Sequence, residues 1–229
     1  IKMSAKLGTY EVDLTGGEPL LHPNLGELFF ILYKYGMLTR LFTNLTLCTD
    51  YHISLMKKYG IKTIITSLES HDKYVHDKFR GLDGAFASTV NNIKKLKTNG
   101  IDVEVNLVLG SHNIKNFDIS VQYILSLGVF CFIDVTTLEG RAKNITFNFP
   151  LAAKVLKKYY LNAYIKKCGV FNRMLYISSN GNIYPCPRIR IAKFIYGNIY
   201  GKYNLKQCFQ RTFAELKHWD CHKNCNITE

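Results

Sequence analysis

Thr15-Gly16-Gly17-Glu18-Pro19 sets a carboxylate beside two residues that lack a Cβ, directly after a run in which Tyr10, Val12 and Leu14 alternate with Glu11 and Asp13. Two glycines let the backbone approach a ligand closely and adopt angles other residues resist. Glu18 adds an acceptor for a ligand's ammonium group. A tight strand-to-helix turn that leaves the acid in solvent would use the same residues. Further compact polar groups follow later β-rich runs: Thr43-Asn44, Ser67-Leu68-Glu69 and Ser111-His112-Asn113. Thr43 with Asn44, and Ser67 with Glu69, can hydrogen-bond a ribose or a carboxylate. Each, taken singly, serves equally well as a helix N-cap or turn residue.

Thiols supply a second chemistry. Of seven cysteines, Cys48 and Cys131 lie in the first two thirds, while Cys168, Cys186, Cys208, Cys221 and Cys225 crowd into the last third. Clustered cysteines in a chain read as cytoplasmic are metal ligands before they are disulfides. The competing reading is that they are small buried apolar residues. Cys48, Cys131 and Cys208 read as core or helix residues.

The elements that must position these groups repeat along the chain. A helical pattern, a glycine and a short β-rich run recur: Gly36 precedes a strand at 38–43, Gly60 one at 61–67, Gly100 one at 101–107 and Gly128 one at 129–135. A glycine just past a helix is its left-handed stop. Between the stops, Leu25, Leu28, Phe29, Leu32 and Tyr35 make one helix face, Phe86, Val90, Ile93 and Leu96 another, and Phe117, Val121, Ile124 and Leu125 a third. Strands separated by helices pair in parallel through right-handed crossovers. With residues 10–14 this gives five strands, a parallel α/β sheet or incomplete barrel whose ligands gather at the carboxyl ends of the strands.

From about residue 151 a helix with Leu151, Val155, Tyr159 and Ala163 on one stripe leads out of the repeats. Ser179-Asn180-Gly181-Asn182 then reads as a hairpin turn, Gly197-Asn198 as the start of another turn, and 205–216 as helix. A formal charge of +13 admits nucleic acid, a membrane surface or an acidic peptide as partner, but the lysines fall as scattered pairs such as Lys57-Lys58 and Lys94-Lys95, without a basic block interleaved with aromatics. No apolar run is long enough to span a bilayer. A soluble cytoplasmic protein without membrane contact is the default expectation.

Thr-Gly-Gly-Glu-Pro-Leu-Leu-His-Pro at 15–23 resembles the second-strand motif of radical S-adenosylmethionine (radical SAM) enzymes, which in that family holds the amino group of the cofactor's methionine part. The resemblance makes Gly16, Gly17, Glu18 and Pro19 cofactor-binding positions. Phe42-Thr43-Asn44 looks like the family's third-strand ending, and Ser67-Leu68-Glu69, followed by His76-Asp77 and Arg80-Gly81, like its fourth. Cofactor contacts are carried over to Thr43 and Ser67, with Asn44 and Glu69 as lesser transfers. Gly140-Arg141-Ala142 is similar to a sixth-strand ending. The implied fold is α/β: a partial (β/α)6 barrel of parallel strands over 1–150 and a small cysteine-containing extension over 151–229.

Cys168, twelve residues, Gly181, four residues and Cys186 in Gly-Asn-Ile-Tyr-Pro-Cys resembles the first half of the SPASM or twitch extension, whose members bind auxiliary four-iron four-sulfur clusters. A hairpin brings two thiolates together and a later pair completes four. Cys168, Cys186, Cys221 and Cys225 are the implied ligands, and zinc would use the same atoms equally well. The family's Cys-x-x-x-Cys-x-x-Cys loop for the initiating cluster does not occur in these 229 residues. As it stands the chain is therefore expected not to initiate a radical reaction, whether as a shortened form of an active enzyme or as a natural remnant. In its intact form the resemblance implies a SPASM-type enzyme acting on a peptide or protein side chain, of the peptide-maturing or sulfatase-activating kind, served by a reducing electron-donor protein. The rival expectation is an inactive remnant or zinc-stapled binding module that recognises a peptide or nucleic acid.

Overall fold

The structure of the protein, a computed structural model, describes residues 1–135, 154–155, 158, 174–187, 192–201 and 204–216. A short helix α1 (Lys2–Lys6) precedes β1 (Glu11–Leu14), α2 (Leu25–Lys34), β2 (Leu38–Phe42), α3 (Asp50–Lys58) and β3 (Thr63–Ser67). The chain continues through α4 (Lys73–Arg80), α5 (Ala85–Thr98), β4 (Asp102–Leu109), α6 (Phe117–Ser126) and β5 (Phe130–Val135). The five strands form one sheet in the order β1-β2-β3-β4-β5, every neighbour parallel. Spatial order equal to chain order means that each crossover moves one place in the same direction, as in a barrel wall, and all carboxyl ends lie along one rim. The helix stops work as expected: Gly36 and Gly128 sit at φ +65° and +67°, where a side chain would be strained.

Register sorts the strand residues into two unlike faces. Leu41, Ile64, Val103, Val105 and Leu107 point to the helices and are at most 5% exposed, packing with Phe29, Met56, Ile93 and Ile124. Each such fully buried side chain contributes about 1.5–3 kcal/mol. The opposite face carries Asp13, Arg40, Phe42, Ile65, Ser67, Glu104, Asn106, Phe130 and Phe132 by alternation. There Arg40 makes a two-pronged ion pair with Asp13 at 2.7 Å and reaches Glu11 at 3.2 Å. Leu125 departs from the expected helix face: Phe117, Val121 and Ile124 are buried, but one residue on, about 100° around the helix, Leu125 is 48% exposed.

Basic residues close helix after helix, with Lys34 in α2, Lys57 and Lys58 in α3, and Lys95 and Lys97 in α5. Cations there complement the negative end of the helix dipole, which accounts for part of the charge excess without a polyanionic partner.

The chain divides into two compact units, Ile1–Tyr159 and Tyr160–Glu229. In the second, β6 (Tyr176–Ile177), β7 (Asn182–Tyr184) and β8 (Gly197–Asn198) form an antiparallel sheet, and α7 (Leu205–Leu216) follows. Gly197-Asn198 forms strand β8 and, as expected, opens a turn: Asn198 O accepts the Gly201 N–H at 3.0 Å and its Oδ1 the Tyr200 N–H at 2.9 Å, while Asn198 pairs with Asn182 and its side-chain amide bridges Asn180 O and Asn182 Oδ1 at 2.9 Å. Ile183, Leu205 and Cys208 make a small core. Gly140-Arg141-Ala142, most of the stripe begun by Leu151, and Cys168, Cys221 and Cys225 lie outside the described residues. Among the described residues no helix is long and apolar enough to cross a membrane.

Candidate functional site

Glu18 leaves β1 four residues past its end and begins a 3-10 turn over Pro19–Leu21. Three donors from two separate segments converge on its carboxylate. Oε1 accepts the Leu20 N–H at 3.1 Å and the Thr43 hydroxyl at 2.5 Å, and Oε2 accepts the Asn44 N–H at 2.9 Å. A carboxylate oxygen can accept two hydrogen bonds, so Oε2 retains a place. Glu18 is half-buried, while Gly16 and Gly17 beside it are exposed. A Cβ at either glycine would meet nothing within 4 Å, and Gly16 at φ +143° adopts a backbone closed to ordinary residues. An anchored carboxylate thus borders open space over bare backbone.

The loop after β2 holds Glu18 from the second side. Thr43, 6% exposed, donates to Glu18 and accepts the Leu45 N–H at 3.1 Å, so its hydroxyl serves the carboxylate. Asn44 Oδ1 accepts from the Thr46 amide and hydroxyl at 2.8 and 2.7 Å, an Asx turn. Leu45 lies at φ +63°, the non-glycine residue in the left-handed region among those described. Two side chains of α5 secure it: Thr89 Oγ1 donates to Asn44 O at 2.9 Å and Asn92 Nδ2 to Leu45 O at 2.8 Å. Sequence reasoning missed both. Their signal was a polar residue on the buried stripe of Val90, Ile93 and Leu96, where Thr89 is 1% and Asn92 7% exposed.

At the tip of β3, Ser67 is half-buried on the Phe42 and Ile65 side of the sheet, and no described residue engages its hydroxyl. Glu69, read from sequence as a ligand contact, lies two residues past the end of β3. Its side chain is 2% exposed and Oε1 pairs with Arg80 at 2.7 Å. The helix α4 returns over the tip and delivers that guanidinium. Oε2 has no hydrogen bond; His112 Nε2 stands 3.7 Å away, its ring stacked on Phe79. The Glu69 N–H donates to His76 Nδ1 at 3.1 Å, and its carbonyl accepts from Asn113 at 2.8 Å. Burial, reinforced by the Arg80 charge, lowers the His76 pKa from 6.5 to about 4. Asp77 caps the start of α5 through the Gly84 and Phe86 amides, and the Phe86 bond above all lowers its pKa. His76, Asp77 and Arg80 therefore build the corner that supports the rim.

Cys186 is 6% exposed just beyond the β6–β7 hairpin. Its expected partners Cys168, Cys221 and Cys225 lie outside the described residues, among which no three His, Cys, Asp or Glu side chains converge as a metal site. Cys208 is 3% exposed against Ile183 and Leu205, with its thiol toward Tyr196 O at 3.7 Å. Burial pushes the thiols of Cys48 and Cys131 up to about 11 and raises that of Cys208, so these three stay protonated and are poor ligands.

The geometry can be set beside known proteins. The sequence pattern of the Radical SAM superfamily matches residues 1–124. The chain is 35% identical over 126 residues to the antilisterial bacteriocin subtilosin biosynthesis protein AlbA of Bacillus subtilis (strain 168), covering 55% of this chain and 28% of AlbA. It is 28% identical over 125 residues to the PqqA peptide cyclase of Ruegeria pomeroyi, covering 55% of this chain and 33% of the cyclase. The match thus spans about a third of these relatives' length. The crystal structure of Streptococcus suis SuiB shares the fold at a TM-score of 0.75 and 15% identity, over 95% of this chain and 60% of SuiB; SuiB structures bound to S-adenosylmethionine and to precursor peptide SuiA superpose at 0.75 and 0.71, with 16% and 15% identity over 94% and 91% of this chain and 58% and 56% of theirs. The matched pattern covers more than half of the 229 residues and contains the whole Glu18 rim, and the chain belongs to the radical SAM superfamily.

Proposed function

We propose that the rim of Gly16, Gly17, Glu18 and Pro19 binds the methionine end of S-adenosylmethionine, with Thr43 and Asn44 holding Glu18 and with the Ser67 hydroxyl left for the ribose. The observation that carries this reading is Glu18: a carboxylate anchored from two segments, with acceptor capacity left on Oε2, beside glycines whose Cβ positions are empty. Its chemistry suits an ammonium group, and the open backbone admits the chain that bears it. When bound and reduced by one electron from an initiating cluster, the sulfonium nucleotide would supply hydrogen-atom abstraction; the chain's own residues would hold and orient it. Glu18 fixes the ammonium end, the diglycine turn permits close approach, and the Asn44 amide keeps Glu18 from turning away.

The intact protein, on this reading, is a radical SAM enzyme of SPASM or twitch type that modifies a peptide or protein side chain in the cytoplasm and draws electrons from a reducing donor protein. The names of AlbA and the PqqA peptide cyclase, and the SuiB structure with peptide SuiA, support a peptide substrate. Residues 1–150 would form the partial barrel and 151–229 the extension, in which Cys168, Cys186, Cys221 and Cys225 would hold an auxiliary four-iron four-sulfur cluster as thiolates. Iron with acid-labile sulfide in the anaerobically reconstituted protein is the expected composition; zinc alone would remove the auxiliary cluster from this account.

Equilibrium dialysis against S-adenosylmethionine tests the rim itself. Saturable binding that weakens in Glu18→Ala is expected. Equal binding by the variant, or none by the wild type, would overturn it.

A further inference from the structure

We propose that Thr89 and Asn92 of α5 are positioning residues that set the affinity of the rim by fixing the direction of the Glu18 carboxylate. The inference rests on the reading of Glu18 as the ligand's anchor. Neither side chain touches Glu18. Each holds a carbonyl of the loop that does: Thr89 the carbonyl of Asn44, Asn92 that of Leu45.

The physical argument starts from Leu45. A leucine in the left-handed region is disfavoured by about 1–2 kcal/mol, so that conformation persists only where the surroundings over-determine it. Burial of the Leu45 side chain fixes one end of the residue; the α5 hydrogen bonds fix the peptide planes on either side. Thr89 holds the Asn44–Leu45 plane, which carries the Leu45 N–H, and Asn92 the Leu45–Thr46 plane, which carries the Thr46 N–H bonded to Asn44 Oδ1; the Asn44 N–H lies in the preceding plane and is aimed through the Asn44 residue that these bonds hold from its carboxyl side. The Asn44 N–H points to Glu18 Oε2, and the Leu45 N–H engages the Thr43 hydroxyl whose own hydrogen goes to Oε1. The remaining bond to Glu18, from the Leu20 N–H, is local to its own turn and cannot align the carboxylate with β2. A polar side chain on a buried helix stripe is costly unless partnered, and at Thr89 and Asn92 the partner is the carbonyl that keeps the loop in place.

The test compares Thr89→Val, which keeps shape and loses the donor, with Thr89→Ser, which keeps the donor. Thr39→Val is the control: Thr39 is buried at 7% exposure and donates to Met37 O just before β2, at the end of the strand away from Thr43, without a hydrogen bond to Glu18 or to the loop that holds it. Thr89→Val is expected to weaken S-adenosylmethionine binding about fivefold and Thr89→Ser by no more than about twofold, on the scale of a single hydrogen bond. Thr39→Val is expected to lower the thermal midpoint without changing affinity. In a Glu18→Gln background, Thr89→Val should add no further loss, since both changes act through one group. Unchanged affinity in Thr89→Val, or the same fold-loss with and without the Glu18 carboxylate, would overturn the inference. Amide hydrogen exchange at Asn44 decides it without ligand: faster exchange in Thr89→Val and Asn92→Leu than in Thr39→Val is expected, and equal rates would refute the positioning role. Absence of ligand binding by the wild type together with that exchange pattern would count against the cofactor reading alone.

Discussion

Glu18 and Glu69 occupy matching places, each a few residues beyond the carboxyl end of a strand on the same rim, yet they meet opposite surroundings. Glu18 is half-buried, held by two backbone amides and a hydroxyl, and faces open space over two glycines. Glu69 is 1% exposed and holds Arg80 at 2.7 Å. The difference comes from what the next element returns to the tip. After β3, α4 folds back and supplies a guanidinium; after β1, the Pro19 turn supplies none. A tip carboxylate given a cation by its own chain becomes a clamp, and one left without keeps acceptor capacity, which the proposed ligand's ammonium group would use.

The contrast breaks most visibly at Glu69. Glu69→Ala strands Arg80 and is expected to cost about 3 kcal/mol, read by urea unfolding, while affinity for S-adenosylmethionine per folded chain changes little. The reverse pattern belongs to Glu18→Gln: stability within about 1 kcal/mol of wild type and affinity down about tenfold, because a charge-assisted hydrogen bond is replaced by a neutral one. Should both variants lose stability and neither lose affinity, the distinction between clamp and receptor collapses.

Acid sharpens the comparison. His76 beneath the Glu69 tip stays neutral in the fold down to about 4, whereas in the unfolded chain it takes a proton as pH falls through 6.5. The unfolded state then binds more protons, so stability is full above pH 6.5 and declines from there toward pH 4. Between pH 7 and 5.5 the loss attributable to His76 is about 1 kcal/mol, read as a fall in unfolding midpoint that shrinks in His76→Gln. Asp77, whose pKa is lowered from 3.8, releases its own stabilisation only below that window.

The smallest effect is expected at Gly17. No positive φ is required there and its Cβ site is empty, so Gly17→Val should shift stability by only about 0.5 kcal/mol. Filling the space over the turn is nevertheless expected to weaken ligand binding severalfold. Loss of stability with affinity intact would mean that the space is not where the ligand sits.

Much of this was legible from local chemistry. The glycine stops and β-rich runs between them gave five parallel strands, because a left-handed cap and a short apolar run are properties of a few adjacent residues. The groups at Glu18, Thr43 and Ser67 stood out because parallel strands align their ends. What escaped was set by distance in sequence. Glu69 and Arg80 were both visible, but their pairing depends on the path of α4. The bonds from Thr89 and Asn92 span 45 and 47 residues and have no local signature beyond a polar residue on an apolar stripe. Gly197-Asn198 was legible as the start of a turn, but its pairing with β7, set by a strand further back in the chain, was not.

The central claim is that Glu18 receives an ammonium group that the chain itself does not provide. A crystal structure of the protein with S-adenosylmethionine measures it directly through the separation of Glu18 Oε2 from the ligand's amino nitrogen. The account predicts about 2.7–3.2 Å, with the methionine part lying over Gly16 and Gly17. A ligand bound with its amino group out of reach of Glu18, or seated away from the diglycine turn, would contradict it.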